Sequence, residues 1–340
     1  MSDPNAAGPR RSLVLKHRPG GMPSADNFEM TEDPLPAPAS GEVLTRTLFL
    51  SIDPYMRGRL SDRASYATPV QIGEVMTGES VGEVVASAAH GFSPGDLVVG
   101  SRGWSTHSIT QAAQLVKLDR AGPPISTYLG VLGMPGVTAY SGMKDIGQPQ
   151  AGETVVISAA SGPVGSVAGQ LAKRVGARVI GIAGGAEKCL WVQEALGFDD
   201  CIDHRGMDIA ASLAAACPNG IDVYFENVGG AVQRAVFPML NNFGRMVMCG
   251  MVAEYNDAHP VPGPNLMSVV RKRLRIQGLI VSDKMGRFPE WRALAAPWVL
   301  GDSLRYRETV VDGLENAPDA LAQVLTGGNF GKMLVKVADL

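Results

Sequence analysis

Glu153-Thr154-Val155-Val156-Ile157-Ser158-Ala159-Ala160-Ser161-Gly162-Pro163-Val164-Gly165 decides how the whole chain is read. Its first six residues form a short β-branched, apolar run of the length of a buried strand. Further on, Val164, Val167, Ala168, Leu171, Ala172 and Val175 fall on one face of a 3.6-residue period, which predicts a helix over Val164–Val175. Between the two, Ala160-Ser161-Gly162-Pro163-Val164-Gly165 matches the fingerprint GxGxxG, with alanine at the first glycine position. In such a turn Gly162 lets backbone approach a pyrophosphate, Gly165 lets the helix lie close to the sheet, and the helix N-terminus attracts the phosphates. Strand, turn and helix in this order predict a dinucleotide site built on Gly162, Pro163, Val164 and Gly165.

The pattern continues downstream. Ala177–Ile182, Cys201–Asp203, Asp222–Glu226, Arg245–Cys249 and Arg275–Val281 read as further strands. Helical stretches near Ala186–Leu196, Met207–Ala216, Ala231–Leu240 and Pro289–Leu300 alternate with them. Six strands separated by helices predict a doubly wound parallel sheet of the Rossmann kind. Upstream the texture differs. Glu42–Leu50, Gly82–Ala86 and Asp96–Val99 are short extended runs bounded by turn residues such as Ser93-Pro94-Gly95-Asp96, the pattern of a small β-barrel or sandwich. After Leu300 short strands return at Glu308–Val311 and Met333–Val337. The expected organisation is a β domain over 1–130 and 302–340, with an α/β nucleotide-binding domain over 131–301 inserted into it.

Composition narrows the function. Lys and Arg number 30 against 33 Asp and Glu, a net charge of −3, so no basic excess faces a nucleic-acid backbone. The compact run Arg271-Lys272-Arg273-Leu274-Arg275 is expected to be a solvated strand edge. Met1 to Arg11 is polar, and no stretch reaches the ~20 apolar residues of a membrane span, which predicts a soluble, cytoplasmic protein. The four cysteines contain no CxxC pair, and the five histidines are scattered singly, so no metal site is expected.

The second strand selects between dinucleotides. Where NAD sites place a carboxylate for the ribose 2′-hydroxyl, this chain has Ala183-Gly184-Gly185-Ala186, followed only later by Glu187 and Lys188. Without an acid to repel a 2′-phosphate, and with Lys188 able to pair with one, the site is expected to take NADP(H), with Gly184 giving room at the adenosine ribose.

Ser51-Ile52-Asp53-Pro54-Tyr55-Met56-Arg57, Gly133–Tyr140, Ser158–Gly169, Tyr224–Gly230, Cys249–Asn256 and Gly328–Lys332 carry a resemblance that runs over nearly the whole chain. The sequence resembles the zinc-independent medium-chain dehydrogenases/reductases, in the branch of prostaglandin reductases, leukotriene dehydrogenases and curcumin reductase-like enzymes. The resemblance implies a GroES-like β-barrel substrate domain beside the Rossmann domain, NADPH as cofactor, and reduction of a carbon–carbon double bond conjugated to a carbonyl. Zinc-dependent relatives carry Gly-His-Glu where this chain has Thr77-Gly78-Glu79. By resemblance Met134 and Thr138 lie beside the nicotinamide ribose, Asn227 lines the cofactor, and Asn329 reaches back to it. His204 stands where relatives have a tyrosine near the adenosine phosphate, and a surface histidine is the other reading. Cys249, Leu279 and Val281 are expected at strand ends facing the cofactor crevice, although core packing also accounts for them. Tyr255, just past the fifth strand, is the expected catalytic residue: a phenol can hydrogen-bond a carbonyl oxygen as enolate charge develops. Tyr55 and Met56 are expected to line the pocket for a small-molecule enone, Asp53 and Arg57 to pair structurally, and Ser282–Arg287 to form a mobile flap. A homodimer through the edge strand Arg275–Val281 is implied. Two alternatives stay open: an NADPH quinone reductase, and a non-catalytic NADPH-binding sensor.

Overall fold

The computed structural model describes residues 8–35, 37–63, 65–206, 208–257, 259 and 261–340. Contacts divide the chain into two compact units, Met1–Leu129 with Glu308–Leu340, and Gly130–Arg307.

The first unit begins with an antiparallel pair, β1 (Arg10–Leu15) and β2 (Phe28–Asp33). Then follow β3 (Glu42–Ile52), the short helix α1 (Met56–Arg59), β4 (Glu79–Ser87), β5 (Leu97–Arg102), β6 (His107–Gln111) and β7 (Val116–Leu118). β3 is the spine. It pairs along its length with β4 and through its first half with β6. Leu48, Val81, Leu97, Val99, Leu118, Leu129 and Leu334 bury one apolar cluster on this sheet, which the alternation of short strands requires.

The second unit runs α2 (Met134–Ser141), β8 (Thr154–Ser158), α3 (Gly165–Arg174), β9 (Arg178–Ala183), α4 (Ala186–Glu194), β10 (Asp200–Asp203), α5 (Ile209–Ala216) and β11 (Ile221–Glu226). It continues through α6 (Gly230–Val236), β12 (Leu240–Met248), α7 (Met267–Lys272), β13 (Arg275–Gly278) and α8 (Arg287–Leu300). Among the described residues its sheet has six strands in the order β10-β9-β8-β11-β12-β13, all pairs parallel. Both faces are buried. Val156, Ile180, Ile182, Tyr224 and Met246 pack on one side, while Val155, Ile157, Val179, Val223, Phe225 and Val247, the alternate residues, are equally covered. The order reverses between β8 and β11, so a crevice opens outside their carboxyl ends.

The chain then returns to the first unit with β14 (Glu308–Asp312), α9 (Ala317–Leu325) and β15 (Lys332–Lys336). β15 pairs antiparallel with β3, Met333 opposite Ile52 and Lys336 opposite Phe49, and β14 adds in parallel outside it.

Several expectations are corrected. β13 stops at Gly278 and not at Val281, because among the described residues its partner β12 is paired no further than Met248. Ser282–Arg287 is not a free flap: Lys284 and Arg287 pair with Asp145 at 3.0 and 2.9 Å, around a 3₁₀ turn over Val281–Lys284. Of the basic run, Arg271 and Lys272 end α7, and Lys272 Nζ donates to the carbonyls of Pro238 and Leu240 at 2.6 and 2.7 Å. Met207, at the expected start of a helix, lies outside the described residues.

Candidate active site

The glycine turn follows β8 directly. Ala159 takes a positive φ of 49°, and Gly162 N–H donates back to its carbonyl at 2.9 Å. α3 then begins at Gly165. A Cβ at Gly165 would lie 2.4 Å from the Ala159 oxygen, and one at Gly162 would lie 3.1 Å from it. Gly165 is therefore demanded by the turn's own backbone, a tighter constraint than helix-on-sheet packing alone. Pro163 and Val164, both partly exposed, span the gap. In the first turn of α3, Ser166 and Ala168 N–H donate to the Gly162 and Val164 carbonyls, and the positive end of the helix dipole there suits an anion.

A buried carboxylate organises the neighbouring strand end. Glu226, fully buried at the end of β11, accepts at Oε1 from Ser158 Oγ (2.9 Å), Val228 N–H (2.7 Å) and Gly229 N–H (3.1 Å). Asn227 is bound to the end of β8 twice: its N–H donates to Ser158 Oγ and its Nδ2 to the Ser158 carbonyl, each at 2.8 Å. The loop after β12 is laced to this one. Val252 and Ala253 N–H donate to the Asn227 and Val228 carbonyls, and Gly230 N–H donates to Glu254 Oε1 at 2.8 Å. Tyr255 closes the 3₁₀ turn Val252–Glu254, and its hydroxyl lies 3.0 Å from where a Gly250 Cβ would stand. Gly250 thus makes room for the phenol.

Cys249 N–H donates to the Glu226 carbonyl at 2.9 Å. Burial first, then the Glu226 charge, pushes its thiol up to about 12, so it is no nucleophile at neutral pH. Leu279 is buried and donates its N–H to the Met248 carbonyl. Val281 opens the 3₁₀ turn, so it is not at a strand end as expected. Met134 and Thr138 are one turn apart on α2, with Thr138 Oγ1 donating to the Met134 carbonyl at 2.7 Å.

At the ends of β9 and β10 the basic residues gather. A Cβ at Gly184 would lie 2.9 Å from His204 Nε2 and 2.8 Å from Arg205 Nε. Burial and then the Arg205 charge hold both Lys188 and His204 below their ordinary pKa values. Sequence reasoning missed Arg205, Glu226 and Ser158. Arg205 follows His204 directly, and Glu226 sits inside a quoted motif, but neither contact is visible without the fold.

The remaining site candidates belong to the first unit. Tyr55 is partly exposed, and burial, followed by Asp53 and Glu79, pushes its phenol well up. Met56 is fully buried: its Cε lies 3.0 Å from where a Gly78 Cβ would stand, as does Trp104 Nε1. Its side chain is packed in the interior of the first unit, not on a surface as expected. Asn329 Nδ2 donates to the Gly331 carbonyl at 2.7 Å. Asp53 does not pair with Arg57. It pairs with Lys332, at 2.6 Å, while Arg57 Nε donates to the Gly21 carbonyl. Among the described residues no group of three or more His, Cys, Asp or Glu side chains could hold a metal ion, and no helix is long and apolar enough to cross a membrane.

Residues 11–118 match the family described as the N-terminal domain of oxidoreductase, and 163–300 match that described as zinc-binding dehydrogenase. Over 334 residues, 96% of this chain and 97% of the relative, the sequence is 49% identical to the NADPH-dependent curcumin reductase of Escherichia coli (strain K12). The chain belongs to the zinc-independent medium-chain dehydrogenase/reductase family. Another relative is the NADP(+)-dependent 2-alkenal reductase of Nicotiana tabacum, 37% identical over 334 residues, 96% of this chain and 97% of that one. The crystal structure of CurA in complex with NADPH from Vibrio vulnificus matches with a TM-score of 0.92 at 48% identity, covering 97% of this chain and 100% of that one. The medium-chain reductase fold accounts for both units: the β unit that the chain leaves and rejoins, and the Rossmann sheet between.

Proposed function

We propose that this medium-chain reductase is an NADPH-dependent enzyme that reduces the carbon–carbon double bond of α,β-unsaturated ketones and aldehydes. The observation that carries the reading is the whole-length similarity to NADPH-dependent curcumin reductase and 2-alkenal reductase, combined with a phosphate turn and a held phenol at one end of one sheet.

The residues present fit NADPH. The Gly162–Gly165 turn is tight enough that a Cβ at Gly165 would press on the Ala159 backbone, which keeps this turn free of side-chain bulk, and the Gly184 end of β9 offers basic side chains for a 2′-phosphate. Pro163 and Val164 continue the pyrophosphate turn. Asn227, Met134, Thr138, Cys249, Leu279 and Val281 form the nicotinamide side. When bound, NADPH supplies a hydride.

The chain's own work is polar positioning. Tyr255 donates a hydrogen bond to the substrate carbonyl oxygen, where negative charge grows as the β-carbon is reduced. The Glu226 and Asn227 hydrogen bonds hold the Tyr255 loop in place before substrate arrives, so no reorganisation is needed at the moment of reaction.

A screen of enones, enals and quinones, with NADPH and NADH as reductants, tests the reading. NADPH consumption is expected with enones and enals and exceeds that with NADH; no turnover across a broad enone panel overturns it. In the same assay Tyr255→Phe lowers kcat about 100- to 1000-fold, the range for losing one oxyanion donor. An unchanged kcat over several substrates removes the assigned role.

A cytoplasmic homodimer completes the proposal. β13 is an edge strand whose four residues are all exposed, beside exposed Leu266, Met267 and Val270 on and next to α7. An unpaired edge invites a second copy. Sedimentation equilibrium is expected to give twice the mass of the 340-residue chain, and a monomer mass refutes the dimer.

A further inference from the structure

Asp203 brings two turns together at the carboxyl edge of the parallel sheet. Its Oδ1 accepts from Gly185 N–H at 2.8 Å and from Arg205 N–H at 2.9 Å. The turn after β9 is thereby fixed against the turn after β10. At the junction sits Gly184, where even a methyl group would press on His204 Nε2 and Arg205 Nε. Lys188, in the first turn of α4, stands close enough for its charge to act on His204 and for the Arg205 charge to act on it. The carboxylates facing this group are few. Asp203 faces His204 but is already engaged by two backbone donors, and Glu187 faces Lys188 and lies 3.8 Å from Arg307. Like charges gathered this way repel one another until an anion enters between them. Partial burial and the Arg205 charge hold His204 below the usual imidazole pKa, so the free protein disfavours the charged ring.

We propose that His204 is the proton-accepting member of a three-cation seat, with Lys188 and Arg205, for the 2′-phosphate of NADPH, so that NADPH is bound together with a proton. The proposal rests on the NADPH reading given above. A phosphate monoester has a second pKa of about 6 and carries nearly two negative charges at pH 7.5. Lys188 and Arg205 answer part of that charge permanently. His204 answers the rest only once the dianion is beside it, because the dianion favours the charged ring. The direction of the pH dependence follows. A group whose pKa rises on binding contributes affinity that is fully present below its free-state pKa and is lost as pH rises through its bound-state pKa. NADPH affinity therefore falls from pH 6.5 to 8.5. A tyrosine at this position donates a hydrogen bond with no such proton uptake.

Isothermal titration of NADPH into the full-length protein, without substrate, tests this. Titrations at pH 7.5 in several buffers of different ionisation enthalpy give the number of protons taken up. About half a proton or more is expected for the native chain, and close to none for His204→Tyr and for His204→Gln. Between pH 6.5 and 8.5 the NADPH Kd is expected to rise about five-fold or more in the native chain and less than about two-fold in either variant. NADPH binding with no proton uptake in the native chain, or with equal uptake in all three proteins, overturns the role of His204 and leaves the NADPH reading standing. Absence of NADPH binding overturns that reading, and the seat with it.

Discussion

Lys332→Met is expected to destabilise the first unit by about 3–5 kcal/mol, the cost of breaking a buried ion pair from one side. Lys332 and Asp53 are 2% and 3% exposed, so neither charge can turn to water instead. Lys332 Nζ donates to Asp53 Oδ1 at 2.6 Å and to the Ile52 carbonyl at 2.7 Å, and Ser51 Oγ donates to Asp53 Oδ2. Methionine fills most of the lysine volume and makes none of these bonds. It leaves a buried carboxylate with one hydroxyl partner and strands a carbonyl where β3 leaves the sheet. The loss is local to the β3–β15 seam, so hydrogen exchange of the amides there should speed up well before the second unit is affected. Asp53→Asn combined with Lys332→Met is expected to recover much of the loss, because no uncompensated charge remains. A single variant within about 1 kcal/mol of the native protein would show that the pair is not needed.

Gly165→Ala has the larger effect on the cofactor. Its Cβ would stand 2.4 Å from the Ala159 oxygen and 3.0 Å from the Ala160 Cα, both backbone atoms that cannot rotate away. Ala159 already takes a positive φ, so the turn has no slack to open. The strain displaces the first turn of α3, where the proposed phosphate contacts lie. NADPH affinity is expected to fall about 100-fold or more, equivalent to about 2.7 kcal/mol. Gly162→Ala, at 3.1 Å from the same oxygen, needs a shift of only tenths of an ångström and should cost less than about ten-fold. Gly169→Ala is the control. Its Cβ would fall 1.8 Å from Phe198 Cζ, so it lowers stability by overpacking, about 1–3 kcal/mol, away from the turn. If fluorescence titration ranks the three by stability loss and not by distance to the turn, the assignment of Gly165 fails.

The parallel sheet was legible because strands buried on both faces read as unbroken apolar runs, and α3, after the first of them, carries a clear period. Its last strand was overdrawn. Leu279-Ile280-Val281 is as apolar as any strand, but strand length is set by the partner, and β12 offers none past Met248. The glycine turn after β8 was readable for a related reason: the constraint on Gly165 comes from a residue six positions away. Asp53 was misread because its true partner lies 279 positions along the chain, whereas Arg57 is four away and of suitable charge. Arg205 went unnoticed for the same reason as Glu226. Each acts on residues that only strand pairing brings beside it.

The return of the chain to its first unit has a consequence for how the molecule is made. β3 meets β15 only after the entire second unit has been synthesised, and β14 has no sheet to join before then. At about 5–20 residues per second, the far half of β3 waits on the order of tens of seconds with an unpaired edge. During that interval Asp53 lacks its lysine, and the exposed strand is a template for wrong partners. The inserted unit, continuous from Gly130 to Arg307, has all its strands in hand earlier. On the ribosome, the nucleotide-binding half can therefore be finished while the half that precedes it in the message is still open.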